Sequence, residues 1–476
     1  MANRDRSFYQ YALMNLAVLQ ADFGCHREAV AAMLETVSTA RENKDMTCLN
    51  FALNWLYHFG RAHPELVRHL ESSSMLGTGK ESLAFLRVKA KETGMWMLWS
   101  SVLMSEAKLG LMNGDSIATT LECMVRSSHL IVQRNMKNMF ASHLSLSSSI
   151  WDRFGVAHLS TTACEVFLRC HAQHSMFDEE LKMTCRLAAI LVGRGRYDES
   201  LQMLESLDED GLRSWKPKQY WYKYRGIIKL RRDLHRGNLD GAEELLEQLL
   251  QSKGDDFEPD LCYVVDLLHI DCMARRGNLQ RAYDKADRLM AKSRREQKDV
   301  SITVRLLLAK VDLLDRCGRP QRAFTMAMRA ANLAWRARLM RYLWQAIGAI
   351  ANLLISMGEF DAASQLLHSV IPRALECEQD DLAGVLYSYL ADATMGLAGD
   401  EVDEVRRSER LVSAHKSVQK AFDHYSALED IGKQCEMMAK KATIMKLLGD
   451  LPMAASYAGL YCTLKQRQLG YEVALA

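Results

Sequence analysis

The chain has 476 residues, 49% of them hydrophobic, with 61 basic against 59 acidic side chains. That apolar content can bury a continuous core, and so even a balance argues against a whole-chain role on nucleic acid or a membrane surface. Only 6 residues are proline, well below the usual ~5%. Pro64, Pro217, Pro259, Pro320, Pro372 and Pro452 fall mostly near proposed helix boundaries. This suits an almost all-helical chain, because an internal proline removes a hydrogen bond and clashes with the preceding turn.

The N-terminus enters a helical pattern directly, without the basic, apolar and small-residue series of a secretory signal. No apolar run approaches the ~18 residues of a membrane span. A turn follows at Gly24 to Ala29, and its pattern, Gly-x-(aromatic or Leu)-x-x-Ala, recurs down the chain. Gly60 stands in a stretch expected to supply a second turn, and Ser72 to Lys80 reads as a loop rich in Ser and Gly. Gly114 and Gly155 mark weaker copies. The clean ones are Gly195 to Ser200, Gly237 to Ala242, Gly277 to Ala282, Gly318 to Ala323 and Gly358 to Ala363, with glycines spaced 42, 40, 41 and 40 residues apart. Gln251 to Pro259 reads as another loop. The turn near Gly399 carries a charged insertion, Asp400 to Arg407, and Gly449 to Ala454 closes the series.

Residues around each turn carry helical periodicity. Leu181, Cys185, Ala188, Ala189 and Val192 precede Gly195, and Leu201, Leu204 and Leu207 follow it; such spacing puts one apolar stripe on each helix. The glycine is expected in the left-handed conformation that ends the first helix. The small residue five positions on lets the second helix approach closely. The fold class is therefore all-α, a helical superhelix of the tetratricopeptide kind. Its repeat of about 40 residues exceeds the usual ~34, and the extra residues lengthen helices by ~1.5 Å each. The expectation is one solenoid over 1–476, about eleven helix pairs. Repeats are weaker over 61–175 and clean over 176–375; an insertion lies near 399–410, and C-terminal repeats fill 411–476.

The chemical motifs are sparse. Gly77-Thr78-Gly79-Lys80 lacks the earlier glycine and the following Ser or Thr of a phosphate loop, so it reads as surface loop. Gly193-Arg194-Gly195 has aspartate where a dinucleotide fingerprint needs its third glycine. Cys164, Cys170, His171 and His174 miss the spacing of a zinc site and read as packed helix residues. The 12 cysteines include no CxxC pair; Cys48, Cys185, Cys262 and Cys435 lie on apolar faces, as free thiols in a reducing compartment do. Trp215 to Arg225, followed by Lys229, Arg231, Arg232 and Arg236, interleaves aromatics with bases. It reads first as a packed helix with its charges in water, second as a protein-binding patch and third as a nucleic-acid platform. Most of the 26 methionines, among them Met14, Met203, Met273 and Met395, follow the apolar period and read as core. Of the positions nine before the turn glycines, only Asn15 is asparagine, which disfavours a clamp for peptide carboxylates. No catalytic, metal or cofactor residues are expected, and the chain reads as a non-enzyme.

The opening is the most specific part. Tyr9, Ala12, Leu13, Asn15, Leu16, Ala17, Leu19, Phe23, Gly24 and Ala29, then Ala40, Glu42, Asp45, Cys48 and Leu49, then Trp55-Leu56-Tyr57, resemble the first repeats of subunit 5 of the anaphase-promoting complex, a multi-subunit ubiquitin ligase. Ser149-Ile150-Trp151 to Gly155, Leu366-Leu367-His368 to Ile371 and Ala454 to Gln466 resemble later segments; the middle matches mainly as generic repeat. The resemblance implies a non-catalytic scaffold in the platform of that complex, beside the large subunit 1 and subunit 4, joining the tetratricopeptide lobe to the cullin and RING subunits. It implies work in cell-cycle proteolysis, a place in nucleus and cytoplasm, and no nucleic-acid, membrane or small-molecule partner. Members of that family carry a helical domain ahead of these repeats, so the chain is expected to be a portion of such a protein. The alternative is a free-standing tetratricopeptide receptor for peptides, which calls for a repeated polar set on first helices.

Overall fold

A computed structural model describes residues 2–63, 66, 79–208, 210–251, 259–295 and 299–473. Every regular element among them is helical. The chain divides into two units, Met1–Leu146 and Ser147–Ala476. The first holds α1 (Ala2–Asp22), α2 (His26–Glu42), α3 (Met46–Ala62), α4 (Gly79–Glu92), α5 (Trp96–Asn113) and α6 (Ile117–Gln133); α7 (Phe140–Arg153) crosses the boundary. The second continues with α8 (Ala157–Cys170), α9 (Phe177–Gly193), α10 (Tyr197–Glu205), α11 (Trp215–Arg236), α12 (Leu239–Gln251), α13 (Pro259–Arg275) and α14 (Leu279–Arg295). It ends with α15 (Val300–Arg316), α16 (Phe324–Arg336), α17 (Met340–Ser356), α18 (Phe360–Leu375), α19 (Asp380–Asp400), α20 (Glu404–Ala427), α21 (Ile431–Leu448) and α22 (Leu451–Val473). The fold is all-α, a tetratricopeptide-like solenoid.

Two kinds of turn alternate. Within a pair the helix ends on glycine, as at Gly358 (φ 86°), whose N–H reaches Ile355 O while the next N–H reaches Leu354 O, both at 3.0 Å. Those two bonds satisfy carbonyls that the helix end leaves unpaired. Between pairs the same geometry is held by Gly94 (φ 69°) in one case and otherwise by residues with side chains, among them Lys44 (φ 54°), Asn135 (51°), Arg338 (52°), Glu378 (47°) and Glu429 (60°). In two of them an aspartate follows at once and caps the next helix. Asp45 accepts from the N–H groups of Thr47 and Cys48 at 3.1 Å, and Asp430 from that of Lys433 at 3.0 Å. Connections of two or three residues result.

The core of the first unit is built from facing stripes: Met33 and Val37 of α2 meet Leu49, Ala52 and Leu56 of α3, with Ala17 of α1. Tyr57 then packs on Leu83 and Leu86, and these on Leu98 and Val102. In the second unit one continuous cluster runs from Tyr263 to Ile444 through Leu307, Trp344, Leu367, Leu390 and Tyr425. Each pair buries most of its apolar face against its neighbours, the main source of stability in a solenoid.

Several expectations are corrected. Gly60 lies inside α3, and the link from α3 to α4 runs through residues mostly outside the described ones; the next left-handed glycine, Gly94 (φ 69°), joins α4 to α5 between pairs. Gly60 follows an unbroken apolar period, while Thr93-Gly94 ends one. Gly399 lies within α19, which runs on to Asp400. Only Glu401 to Asp403 form the connection there; Glu404 to Arg407 are the first turn of α20, because Asp403 caps it by accepting from Val405 N–H at 3.1 Å. Pro372 sits inside the last turn of α18. The loop expected from Ser72 falls outside the described residues up to Thr78, while Gly79 and Lys80 open α4; residues 252–258 of the second loop are also outside them.

Candidate functional site

The turn glycines Gly24, Gly195, Gly237, Gly277, Gly318, Gly358 and Gly449 all have φ between 67° and 86°. Their small partners Ala29, Ala242, Ala282, Ala323 and Ala363 are buried. Ser200 is buried too, and its hydroxyl donates to Ala188 O at 3.1 Å, which explains how a polar side chain fits there. Ala454, on the last helix, is only half-buried. These residues shape the repeats and are dispersed along the stack; they do not converge on a site.

What does converge is a polar seam within the second unit, where early turns meet segments far along the chain. A β-carbon on Gly155 would lie 2.8 Å from Cys377 Sγ, and one on Gly195 would overlap the Ala427 carbonyl oxygen. Ala157 N–H donates to Glu376 O at 3.2 Å. Arg153 pairs with Asp299 at 2.9 Å and Arg194 with Glu378. At the centre Glu429 accepts from both Arg232 nitrogens facing it at 2.9 Å and from Arg236 Nε at 2.7 Å, residues nearly 200 positions apart. Arg275 donates to Leu234 O at 2.9 Å, to Asp271 at 3.0 Å and to Asp430 at 3.2 Å; Arg316 joins Asp271 to Asp312. The earlier repeats are thereby fastened to the later ones of the same unit.

Electrostatics follow from this pairing. Burial opposes the charge of Glu429, yet the Arg232 and Arg236 hydrogen bonds win and bring its carboxyl to about 2. The Asp430 carboxyl is likewise held low against burial, by Arg275 first. His235 is driven the other way: burial favours its neutral form. Its Nδ1 lies 3.2 Å from Leu428 O, a partner that can only accept. Tyr197 OH stands 3.0 Å from the same nitrogen.

Sequence reading missed this seam. Arg232 and Arg236 were expected in water beside the aromatic segment; instead they reach Glu429. The Trp215 to Arg225 aromatics pack: Trp221 Nε1 donates to Leu204 O at 2.8 Å, and Arg225 lies over the Trp221 ring while pairing with Glu205. Trp215 and Tyr222 remain exposed. Met14, Met203, Met273 and Met395 are half-buried rather than fully in the core.

A cavity of about 260 Å³ opens on the seam, lined by Arg194, Leu375, Glu378, Gln379, Asp380, Ala383 and His424. His424 Nδ1 lies 2.8 Å from Asp380, a base-orienting pair. No Ser, Cys, Thr, Tyr or Lys lines the cavity to act as its nucleophile, and it is smaller than ordinary ligand pockets of ~300 Å³ and above. Cys164 is buried against Ser148 at 3.2 Å and burial pushes its thiol up, whereas Cys170 is exposed. Among the described residues no group of His, Cys, Asp and Glu could hold a metal ion, and no helix is long and apolar enough to cross a membrane.

A family profile described as Anaphase-promoting complex subunit 5 matches residues 1–63. The protein of that name from Schizosaccharomyces pombe is 25% identical over 452 residues, 94% of this chain and 57% of its own length. The chain is similar, over nearly all its length, to anaphase-promoting complex subunit 5. Subunit 5 from Homo sapiens is 20% identical over 480 residues, 98% of this chain and 60% of its own. The chain thus spans less than two thirds of the relatives it matches. Among solved structures, a Rap protein complexed with competence and sporulation factor superposes with a TM-score of 0.52 at 10% identity, covering 78% of this chain and 99% of its own. That likeness concerns the fold alone.

The stretch matching subunit 5 most specifically is also tightly knit. Asp45, besides capping α3, accepts from Tyr11 OH and Gln10 Nε2 of α1, both at 2.7 Å. Gln10 in turn accepts from Asn43. The hydrogen bond to Asp45, then burial, pushes the Tyr11 phenol up to about 12. The Asp45 carboxylate therefore ties α1 to α3, and the Asn43–Gln10 bond adds the end of α2.

Proposed function

We propose that this chain is the repeat portion of a non-catalytic scaffold subunit of the anaphase-promoting complex, a cullin-RING-type ubiquitin ligase. The observation carrying the reading is the similarity to subunit 5 along 94% of the chain. The geometry agrees with it. One arginine on each of the first helices α11, α13 and α15 is paired within the protein, Arg232 to Glu429, Arg275 to Asp271 and Asp430, Arg316 to Asp312. A free-standing peptide receptor would keep such groups open to its ligand, so the scaffold reading is preferred over it. On this proposal the chain sits in the platform linking the tetratricopeptide lobe to the catalytic module. Its neighbours are the large subunit 1, subunit 4 and subunits of that lobe, in nucleus and cytoplasm, and it serves cell-cycle control by ubiquitin-dependent proteolysis. Chemistry belongs to other subunits.

Affinity purification of the tagged full-length gene product, with mass spectrometry, tests this. Co-purification of many large subunits in fixed ratio, with no ubiquitin transfer by the isolated chain, is expected. Recovery of the chain alone, or with one short peptide partner, would replace the scaffold with the receptor.

A further inference from the structure

Between Asp315 and Glu359 the chain carries seven arginines and no acidic residue. In a chain of nearly balanced charge this is a local field, not a general property. The segment centres on α16, the second helix of its pair, whose buried side consists of Ala327, Ala330 and Ala334. Its opposite side is unusual. Phe324, Met328 and Trp335 are 47%, 47% and 52% exposed; Arg329 and Arg336 lie exposed among them, and Arg322 is exposed in the 3-10 turn Pro320–Ala323 just ahead of the helix. Those three arginines have no carboxylate partner among the described residues.

Single exposed apolar residues are ordinary, but the internal repeat supplies a control. Ten residues after the turn glycine, where this repeat has Met328, the neighbouring repeats have Glu247, Asp287 and His368. Six residues after it, in place of Phe324, stand Glu243, Tyr283 and Ser364. The apolar anchors are thus particular to α16 and not required by the repeat, whereas the arginine positions are shared with the preceding repeat, which has Arg281, Arg288 and Arg295 there. Trp335 is also held in place: the Arg338 guanidinium lies 4.0 Å over its ring, a cation–π contact that limits its rotamers.

We propose that the outer side of α16 is a docking strip for an acidic amphipathic helix of a protein partner. Phe324, Met328 and Trp335 span eleven residues of helix, about 16 Å, which matches three turns of a partner helix laid alongside. Its apolar residues cover the three anchors, and its Asp and Glu side chains meet Arg322, Arg329 and Arg336, whose planar heads take carboxylates bidentately. Tryptophan and arginine together are the residues that most often dominate such contacts. The strip's chemistry is independent of which assembly holds the chain.

The test uses the full chain and three labelled probes read by fluorescence anisotropy: a helical peptide with a leucine face flanked by glutamates, the same peptide with lysines for glutamates, and a single-stranded oligonucleotide. The glutamate peptide should bind, and salt should weaken it. Arg322→Glu/Arg329→Glu/Arg336→Glu should reduce its affinity more than tenfold and transfer binding to the lysine peptide. Met328→Gln should weaken both. All these side chains are exposed, so melting should be unchanged; if the charge reversal does destabilise the chain, the arginine-to-glutamine triple variant gives the same reading for the glutamate peptide. Equal binding of that peptide to native and variant chains, or no binding, overturns the proposal. So does tighter arginine-dependent binding of the oligonucleotide, which would make the strip a nucleic-acid surface.

Discussion

Replacing Gly195 with alanine should be distinctly worse than replacing Gly358 with alanine, although both glycines occupy the same place in the repeat. Each has left-handed backbone, φ 73° and 86°, and each alanine therefore costs about 1–2 kcal/mol through backbone strain. Around Gly358 a new methyl group meets nothing within 4 Å, so that strain is the whole effect; Gly358→Val belongs in the same range. At Gly195 the methyl group would collide with the Ala427 carbonyl, a backbone atom that cannot swing aside. Overpacking of this kind adds about 1–3 kcal/mol. Moving Ala427 also disturbs Glu429 and Asp430, the carboxylates of the seam. The expected total is about 2–5 kcal/mol. Urea denaturation followed by circular dichroism, comparing midpoints of the two variants, measures the difference. Equal midpoint shifts would refute a load-carrying contact between these distant turns.

Glu429→Gln should weaken the seam by about 1–2 kcal/mol, a figure reduced for the solvent that reaches a carboxylate about a third exposed. The pH dependence has a definite sign. A carboxyl brought from its ordinary 4.5 to about 2 contributes stability fully above pH 4.5 and loses it as pH falls toward 2; buried His235, disfavoured as a cation, adds a loss of the same sign that begins below about 6.5. Acid unfolding of Glu429→Gln should lack the component between pH 4.5 and 2, and its persistence would assign that component elsewhere. Ala282→Arg places a long cation where Ile270, Ala274, Ala286 and Leu313 close in and should cost about 3 kcal/mol or more; a native melting temperature in that variant contradicts close packing. Lys44→Gly relieves a left-handed lysine, exposed and at φ 54°, and should raise the melting temperature by the equivalent of up to about 1 kcal/mol. A lower temperature would mean that the lysine side chain outweighs its backbone strain.

The helical class and the positions of most turns were legible because they rest on local physics. A glycine that ends one helix and a small residue five places later form a signal six residues long, repeated at Gly195, Gly237, Gly277, Gly318 and Gly358. The alternate turns escaped notice for a related reason. Lys44, Asn135, Arg338, Glu378 and Glu429 hold the same left-handed geometry without glycine, so no residue type announces them. Gly60 misled because glycine is also tolerated within a helix packed on both sides. The seam was illegible for a different reason. Glu429 meets Arg232 through the curvature of several repeats in succession, and no local pattern encodes that sum. In hindsight the only trace is chemical: an acidic pair, Glu429-Asp430, at a turn, and a basic run, Arg231, Arg232 and Arg236, at the end of an early helix.

The seam also bears on what the second unit can do. Removing one partner from a fully buried ion pair typically costs about 3–5 kcal/mol, because the other charge is left stranded; where solvent reaches part of the pair the cost is smaller. Arg275 stands between Asp271 and Asp430, and Lys440 between Ser388 and Asp392. For such groups to turn toward an incoming peptide, the protein would have to give up contacts that hold its own repeats together. A ligand contributing a few hydrogen bonds of about 1 kcal/mol each has that loss to offset first. On the scaffold proposal recognition falls to the outward sides of the helices, where side chains such as Met328 and Arg329 make no ion pair within the described residues. A stack whose repeats are pinned to one another by internal ion pairs is suited to holding several neighbours at fixed separation, which is the physical content of the scaffold proposal.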